Sequence, residues 1–161
     1  MKEKRDEVNR ELLKEVAENC LCFNARKAAR TVTRFYDRHF AGTELEPTQF
    51  NILVALCLSQ PVALQRLAGH LGLERTTFTR NLRLLQRKRL VDVERGDDAR
   101  ERLLSLSSAG ERALQNAIPH WQRAQQAAIS VLGKNTFARL SEALSLSDKF
   151  TSNNTDNAVQ R

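Results

Sequence analysis

Residues 75–89 constrain the fold more than any other stretch of the chain, because they combine helical periodicity with charge on one side. Their sequence is RTTFTRNLRLLQRKR, which contains six basic residues and no acidic one. At helical pitch, Phe78, Leu82 and Leu85 fall on one face. The opposite face carries Thr76, Arg80, Arg83 and Arg87. The pattern predicts a helix that packs on a core and presents cations to a partner.

The chemistry of this face favours DNA as the partner. The major groove admits an α-helix, and arginine is the residue that most often reads its base edges. The formal net charge of the 161-residue chain is +7, which suits a polyanion. The alternative is a solvated surface helix with surplus arginines. The absence of balancing acids in the segment argues against that alternative.

The length and the composition limit the number of domains, the presence of membrane segments and the cellular compartment that can be expected. A chain of 161 residues can bury one real core but hardly two. The N-terminus is charged and no apolar run follows it, and residues 52–58 are too short to cross a bilayer. Three cysteines without an export signal indicate free thiols in a reducing compartment. We therefore expect a cytoplasmic protein with no membrane segment.

Motifs for catalysis or metal binding are missing from the sequence. There is no G-x-S-x-G, no phosphate-binding glycine loop and no H-E-x-x-H, so we expect neither an enzyme nor a cofactor. His39, His70 and His120 lack ligand spacing. Cys20 and Cys22 would point to nearly opposite sides of a continuous helix. We therefore predict no metal site.

Helical periodicity dominates the chain on both sides of the basic segment. Helices are predicted over residues 3–18 and 20–40, then from Pro47 to about Leu58, and over 63–71, where Gly72 ends the helix before the basic helix begins. After the basic helix, alternating residues 91–95 and 103–106 flank a polar loop, which predicts a β-hairpin. A capping box at Ser108 opens a helix through about Leu132 that contains Pro119, and a last helix spans 136–146.

These elements predict a mainly α fold with a small β-hairpin wing: a winged helix-turn-helix plus terminal dimerisation helices. Residues 1–146 form one domain, in which 46–106 are the DNA-binding lobe and 1–45 and 107–146 supply the dimerisation helices. Dimerisation is expected because the terminal helices have apolar faces and no core of their own. Residues 147–161 are polar and predicted to be disordered.

The chain resembles the MarR family of bacterial transcription regulators over about residues 20–146. The most specific match is Asp98-Ala99-Arg100-x-Arg102-x-Leu104-x-Leu106-Ser107-x-x-Gly110, which is similar to the wing signature of that family. Ser107 replaces a usual threonine, and Arg89 stands where glycine commonly precedes Leu-Val. The resemblance implies a homodimer, usually a repressor, on a pseudo-palindromic operator of double-stranded DNA. It also implies release by a small ligand or by thiol oxidation.

The resemblance also assigns roles to individual residues. It places the basic helix in the major groove and the wing-tip arginine, Arg100, in the adjacent minor groove, with Asp98 holding the wing. Together with the charged face, it gives these helix contacts: Arg75, Thr76, Thr77, Thr79, Arg80, Arg83 and Arg87. A protein-binding winged helix without DNA contact is the alternative function, but it would not need both the arginine face and the Asp-x-Arg wing.

Two regulatory sites stay open at this stage. Leu21-Cys22-Phe23 is similar to the segment around the reactive cysteine in family members that sense organic hydroperoxides, with Arg26 one turn on and Tyr36 near an orienting tyrosine. The alternative is that Cys22 packs as a small hydrophobe. Tyr36, His120 and Trp121 would line a pocket for a small aromatic effector, unless they are ordinary core or interface aromatics.

Overall fold

The computed structural model describes residues 9–96 and 101–152, which form helices around a small antiparallel sheet. In chain order the elements are α1 (Arg10–Asn19), α2 (Leu21–Phe40), α3 (Pro47–Ser59), β1 (Val62–Ala63), α4 (Leu64–His70), α5 (Arg75–Arg87), β2 (Val91–Arg95), β3 (Arg102–Leu106), α6 (Ser108–Leu132), α7 (Lys134–Ser145), a 3-10 turn (Leu146–Asp148) and α8 (Lys149–Ser152). This is the mainly α fold with a hairpin that the sequence predicts. No helix within the described ranges is long and apolar enough to cross a bilayer.

The core lies where α3, α4, α5 and the sheet meet. Side chains from each of these elements are wholly inaccessible to solvent: Ile52, Leu53, Leu56, Leu67, Phe78, Leu85 and Leu104. Burial of one such side chain stabilises the fold by about 1.5–3 kcal/mol before entropy is counted. The predicted apolar face of the basic helix is therefore the face that anchors α5 to the lobe.

The sheet has the predicted hairpin and one strand more. β2 pairs with β3 from Val91 opposite Leu106 to Arg95 opposite Arg102. Val62 and Ala63 form β1, which pairs with the other edge of β3, so Ala63 is not the first residue of a helix as the sequence predicted. Gln60 extends this contact, since its Oε1 accepts a hydrogen bond from the Leu106 N–H at 2.7 Å. Two residues are too few to show the alternation that reveals a strand.

The turn from α5 into β2 keeps a glycine-like backbone without a glycine. Arg89 has φ +57°, in the left-handed region that costs most residues energy. Its N–H donates to the Gln86 carbonyl at 2.9 Å, and its carbonyl accepts from Ser107 Oγ at 2.7 Å. Hydrogen bonds on both sides of Arg89 thus hold the turn that the sequence left uncertain.

The start of α6 also corrects the sequence analysis. Ser107, not Ser108, caps this helix, because its Oγ accepts a hydrogen bond from the Gly110 N–H at 3.0 Å. Gly110 lies against the preceding turn, where a Cβ atom would come within 2.0 Å of the Leu90 carbonyl oxygen. This contact explains physically why the wing signature ends in glycine. The helix runs past Pro119 to Leu132, and Gly133 ends it with φ +76°.

The terminal helices leave apolar faces uncovered. No residue of α1 or α7 is buried, and large apolar side chains on these helices are about half exposed: Leu12, Leu13, Val16, Leu140 and Leu144. The helix is interrupted at Cys20, whose backbone is extended between α1 and α2. The assumption of a continuous helix through Cys20 and Cys22 was therefore wrong. The 3-10 turn and α8 extend through Ser152 into the stretch expected to be disordered.

Candidate nucleic-acid interface

Helix α5 is held rigidly at its inner face and at its C-terminal end. Phe78 and Leu85 are fully buried, and Asn81, which is 9% exposed, donates through Nδ2 to the Thr77 carbonyl at 3.0 Å. Beyond the last turn, Lys88 Nζ donates to the Glu44 carbonyl and to Gln49 Oε1. The outer face of α5 is therefore presented by a backbone that the core and the α2–α3 corner fix in place.

The outer face of α5 forms an open groove of about 1120 Å³. Eight side chains line it: Arg75, Thr76, Thr79, Arg80, Arg83, Leu84, Gln86 and Arg87. Six of them are among the seven helix contacts expected from the sequence. The seventh, Thr77, is exposed beside the groove and does not line it.

Leu84 and Gln86 are members of the groove that the sequence analysis did not select. The predicted outer face included only arginine and threonine residues, so it left out the aliphatic side chain of Leu84 and the amide side chain of Gln86. Their spacing was informative, because Leu84 lies four residues after Arg80 and Gln86 lies three residues after Arg83. Extending the face to every i+3 and i+4 neighbour of the arginines would have found both.

The arginines of the groove are available for an anionic partner. Arg75, Arg80, Arg83 and Arg87 are exposed, and none of them makes an ion pair with any residue of the described ranges. A guanidinium stays charged at all physiological pH values and matches phosphate or guanine with two parallel hydrogen bonds. Four such groups along one helix face can bind a phosphate backbone and read base edges.

The hairpin carries further cations where its strands approach the loop. Arg95 and Arg102 are directly opposite each other in the β2–β3 register, and both are exposed. Like charges in such a cross-strand pair repel each other, and an anion placed between them relieves the repulsion. Asp98 and Arg100, the wing contacts expected from the sequence, lie outside the described residues.

A second cavity, of about 320 Å³, lies between α2, α3 and α6. Its aromatic and polar walls are formed by Val32, Thr33, Tyr36, Phe40, Pro47, Thr48, Phe50, Asn51 and Trp121. Tyr36 donates through its hydroxyl to Gln125 Oε1 at 2.6 Å, and burial raises the pKa of Tyr36. His120 is not part of the wall; its Nδ1 lies 2.9 Å from the His39 carbonyl oxygen instead.

Of the expected thiol-sensing residues, Arg26 lies near Cys22 within one chain but Tyr36 does not. Cys22 and Arg26 are exposed one turn apart at the start of α2. Tyr36 follows fourteen residues after Cys22 on the same helix, about 21 Å along its axis. Cys57, which lies in the apolar run 52–58, is also exposed. In the part of the chain described, no group of three His, Cys, Asp or Glu side chains is placed to hold a metal ion.

Comparison with known proteins agrees with this geometry. A sequence profile of the MarR family matches residues 43–101, which span α3 to the hairpin loop. The transcriptional regulator MosR of M. tuberculosis, solved in complex with DNA, is 33% identical, with a TM-score of 0.72; the match covers 89% of this chain and all of that one. A second MosR structure is 31% identical, with a TM-score of 0.73, and the match covers 84% and 97% of the two chains.

More distant structures share the fold. The PcaV transcriptional regulator of Streptomyces coelicolor, solved with its natural ligand, is 21% identical and gives a TM-score of 0.73 over 83% of this chain and 94% of that chain. No curated protein matched the chain. One conclusion follows from the winged helix, from the arginine groove on α5 and from the 33% sequence identity to MosR along the whole of that chain. The chain belongs to the MarR family and is a DNA-binding transcriptional regulator.

Proposed function

We propose that the protein is a homodimeric repressor whose paired winged helices bind a pseudo-palindromic operator in double-stranded DNA. The observation that carries the proposal is the row of exposed arginines on the outer face of α5, which make no ion pair within residues 9–96 and 101–152. The core and the α2–α3 corner fix this helix, so its side chains meet DNA with little loss of backbone freedom. MosR, which is 33% identical to this chain, was solved in complex with DNA, and this supports DNA as the partner.

The terminal segments expected to dimerise are 1–45 and 107–146, and their described helices support this with uncovered apolar faces. Leu12, Val16 and Leu144 are more than half exposed, as is Val131 near the end of α6. Faces of this kind on several helices, without a partner in the described ranges, fit a second copy of the chain. Two lobes, each about residues 46–106, would then place their α5 helices one DNA turn apart, ~34 Å.

An aromatic effector is one route to release of the operator. The cavity between α2, α3 and α6 joins the dimerisation helices to the DNA-binding lobe, so a ligand there contacts both parts. Tyr36, Phe50 and Trp121 offer aromatic walls, while Thr48 and Asn51 offer hydrogen bonds. The described residues of the wall include no lysine, arginine or histidine, which favours a neutral aromatic ligand over an aromatic acid.

Oxidation of Cys22 is the other route. The thiol is exposed in the first turn of α2, so a hydroperoxide reaches it without opening the fold. The thiolate attacks the peroxide O–O bond and becomes sulfenic acid, and the peroxide leaves as an alcohol. Since Tyr36 of the same chain is far away, any tyrosine that orients Cys22 would come from the partner. A polar group at this helix would then shift the dimer interface.

Operator binding is tested with DNA from immediately upstream of the coding region. We expect the protein to shift this duplex at lower concentration than a random duplex and to reduce transcription from it in a reconstituted reaction. Sedimentation at micromolar concentration should show a dimer. A winged helix that binds protein instead would be a dimer or monomer with equal, weak affinity for both duplexes.

The release routes are tested on the bound complex. An organic hydroperoxide should release wild type and Cys57→Ser from DNA, and thiol reduction should restore binding. Cys22→Ser should stay bound; Cys57→Ser is the matched control, since both thiols are exposed. Release of Cys22→Ser by the oxidant excludes Cys22 as the sensor.

The aromatic route is tested with phenol as a neutral aromatic probe. Phenol should lower the operator affinity of wild type but not that of Asn51→Leu.

A further inference from the structure

Leu84 is an aliphatic side chain in a groove otherwise lined by arginine, threonine and glutamine. It is half-buried, yet it is not one of the partly buried apolar residues that pack against the core of the described ranges. The side chains that anchor α5 are Phe78, Asn81, Leu82 and Leu85, on the other face of the helix. Leu84 is therefore not part of the apolar anchor of α5 and belongs to its outer face.

Helical spacing places two arginines of the groove beside Leu84. Leu84 stands four residues after Arg80 and three before Arg87, which puts it within one turn of both. The aliphatic stems of arginine shield apolar surface while their charged ends stay in water. When these guanidinium groups turn toward phosphates or bases, the Leu84 side chain is left facing the same DNA groove.

The major groove offers one apolar feature for such a side chain. Each base pair presents hydrogen-bond donors and acceptors there, and only thymine adds a methyl group, at C5. We propose that Leu84 reads thymine in each operator half-site by covering this methyl group. The inference rests on the proposed operator binding and adds the base that this helix selects.

Under this proposal, α5 makes two kinds of contact with DNA. Arg80 and Arg83 carry donors suited to guanine or to phosphate, and these contacts do not distinguish thymine from uracil. Leu84 has no donor, so its preference depends on the methyl group alone. Cytosine at the same place would offer no methyl and would leave its N4 amino group facing a leucine without an acceptor.

The test compares thymine with deoxyuridine, which differs only in the methyl group. The probe is the duplex that the wild-type protein selects from a random pool, with each thymine replaced in turn. We expect one thymine per half-site at which deoxyuridine weakens wild-type binding about fourfold, or ~0.8 kcal/mol for one buried methyl. In Leu84→Ala the same replacement should change affinity by less than about 1.5-fold.

Two variants keep the test sharp. Leu84→Met retains an apolar side chain and should keep the deoxyuridine effect, which separates lost contact from lost folding. Gln86→Ala, in the same groove, should bind less well but show the same fourfold effect. The proposal is overturned if no thymine gives more than a twofold loss in wild type, or if Leu84→Ala shows the same loss. Failure to select any duplex would instead overturn the proposed operator binding itself, and this inference with it.

Discussion

Replacement of Arg89 by glycine should stabilise the protein. Arg89 holds φ +57° between α5 and β2, and an L-residue with a Cβ pays about 1–2 kcal/mol for this conformation. Glycine avoids that cost but gives the unfolded chain more freedom, which offsets about 0.5–1 kcal/mol. The net gain for Arg89→Gly is therefore about 0.5–1 kcal/mol in the free energy of unfolding.

The native turn gives no reason for a loss that would cancel this gain. The bonds that fix Arg89 are made by its backbone N–H and carbonyl, which glycine also has. The arginine side chain is exposed and makes no ion pair with a described residue. Urea denaturation should show a higher midpoint at unchanged slope, and the melting temperature should rise by roughly 1–4 °C for a chain of this size.

Arg89→Ala is the matched control, because it removes the same side chain but keeps the Cβ atom. We expect its stability to stay close to that of wild type. All variants are compared at one protein concentration, since dimerisation couples stability to concentration. The reasoning is refuted if Arg89→Gly is less stable than wild type, or if Arg89→Ala stabilises as much as Arg89→Gly, which would assign the effect to the charge.

Three further substitutions probe other parts of the fold. Gly110→Ala should lower the free energy of unfolding by about 1–3 kcal/mol, because the new Cβ overlaps the Leu90 carbonyl oxygen. Gly69→Ala in α4, where nothing lies within 4 Å of the new Cβ, should raise it by about 0.5–1 kcal/mol. Urea denaturation would contradict both predictions if it showed that the two variants change the free energy of unfolding in the same direction. Tyr36→Phe should cost about 1 kcal/mol through the lost hydrogen bond to Gln125, and calorimetry that shows no change would remove that bond from the account.

The sequence predicted the DNA-binding lobe well because its signals are local. The apolar spacing of Phe78 and Leu85 identified the buried face of α5, and alternating side chains on both sides of a polar loop identified β2 and β3. The basic residues of 75–89, which include no acidic residue among them, then identified the outer face of α5. Each of these patterns lies within one element, so periodicity alone was enough to predict it.

The remaining features depend on contacts between distant residues. Strand β1 exists because Val62 meets Leu104, 42 positions away, and two residues carry no periodic pattern. Ser107 rather than Ser108 caps α6, since the choice depends on the backbone around Leu90 and Arg89. The exposure of Cys57 cannot be predicted from the apolar run 52–58, because such a run does not show which of its side chains face the core.

The central claim is that the outer face of α5 reads DNA, and Arg80 tests it most directly. Fluorescence anisotropy gives the affinity of wild type, Arg80→Ala and Arg112→Ala for the selected duplex and for a random one. Arg112 is an exposed arginine on α6, outside the groove. Arg80→Ala should lose about 1–3 kcal/mol on the selected duplex and less on the random one, while Arg112→Ala changes little. Equal losses for the two variants, or equal losses of Arg80→Ala on both duplexes, would contradict the claim.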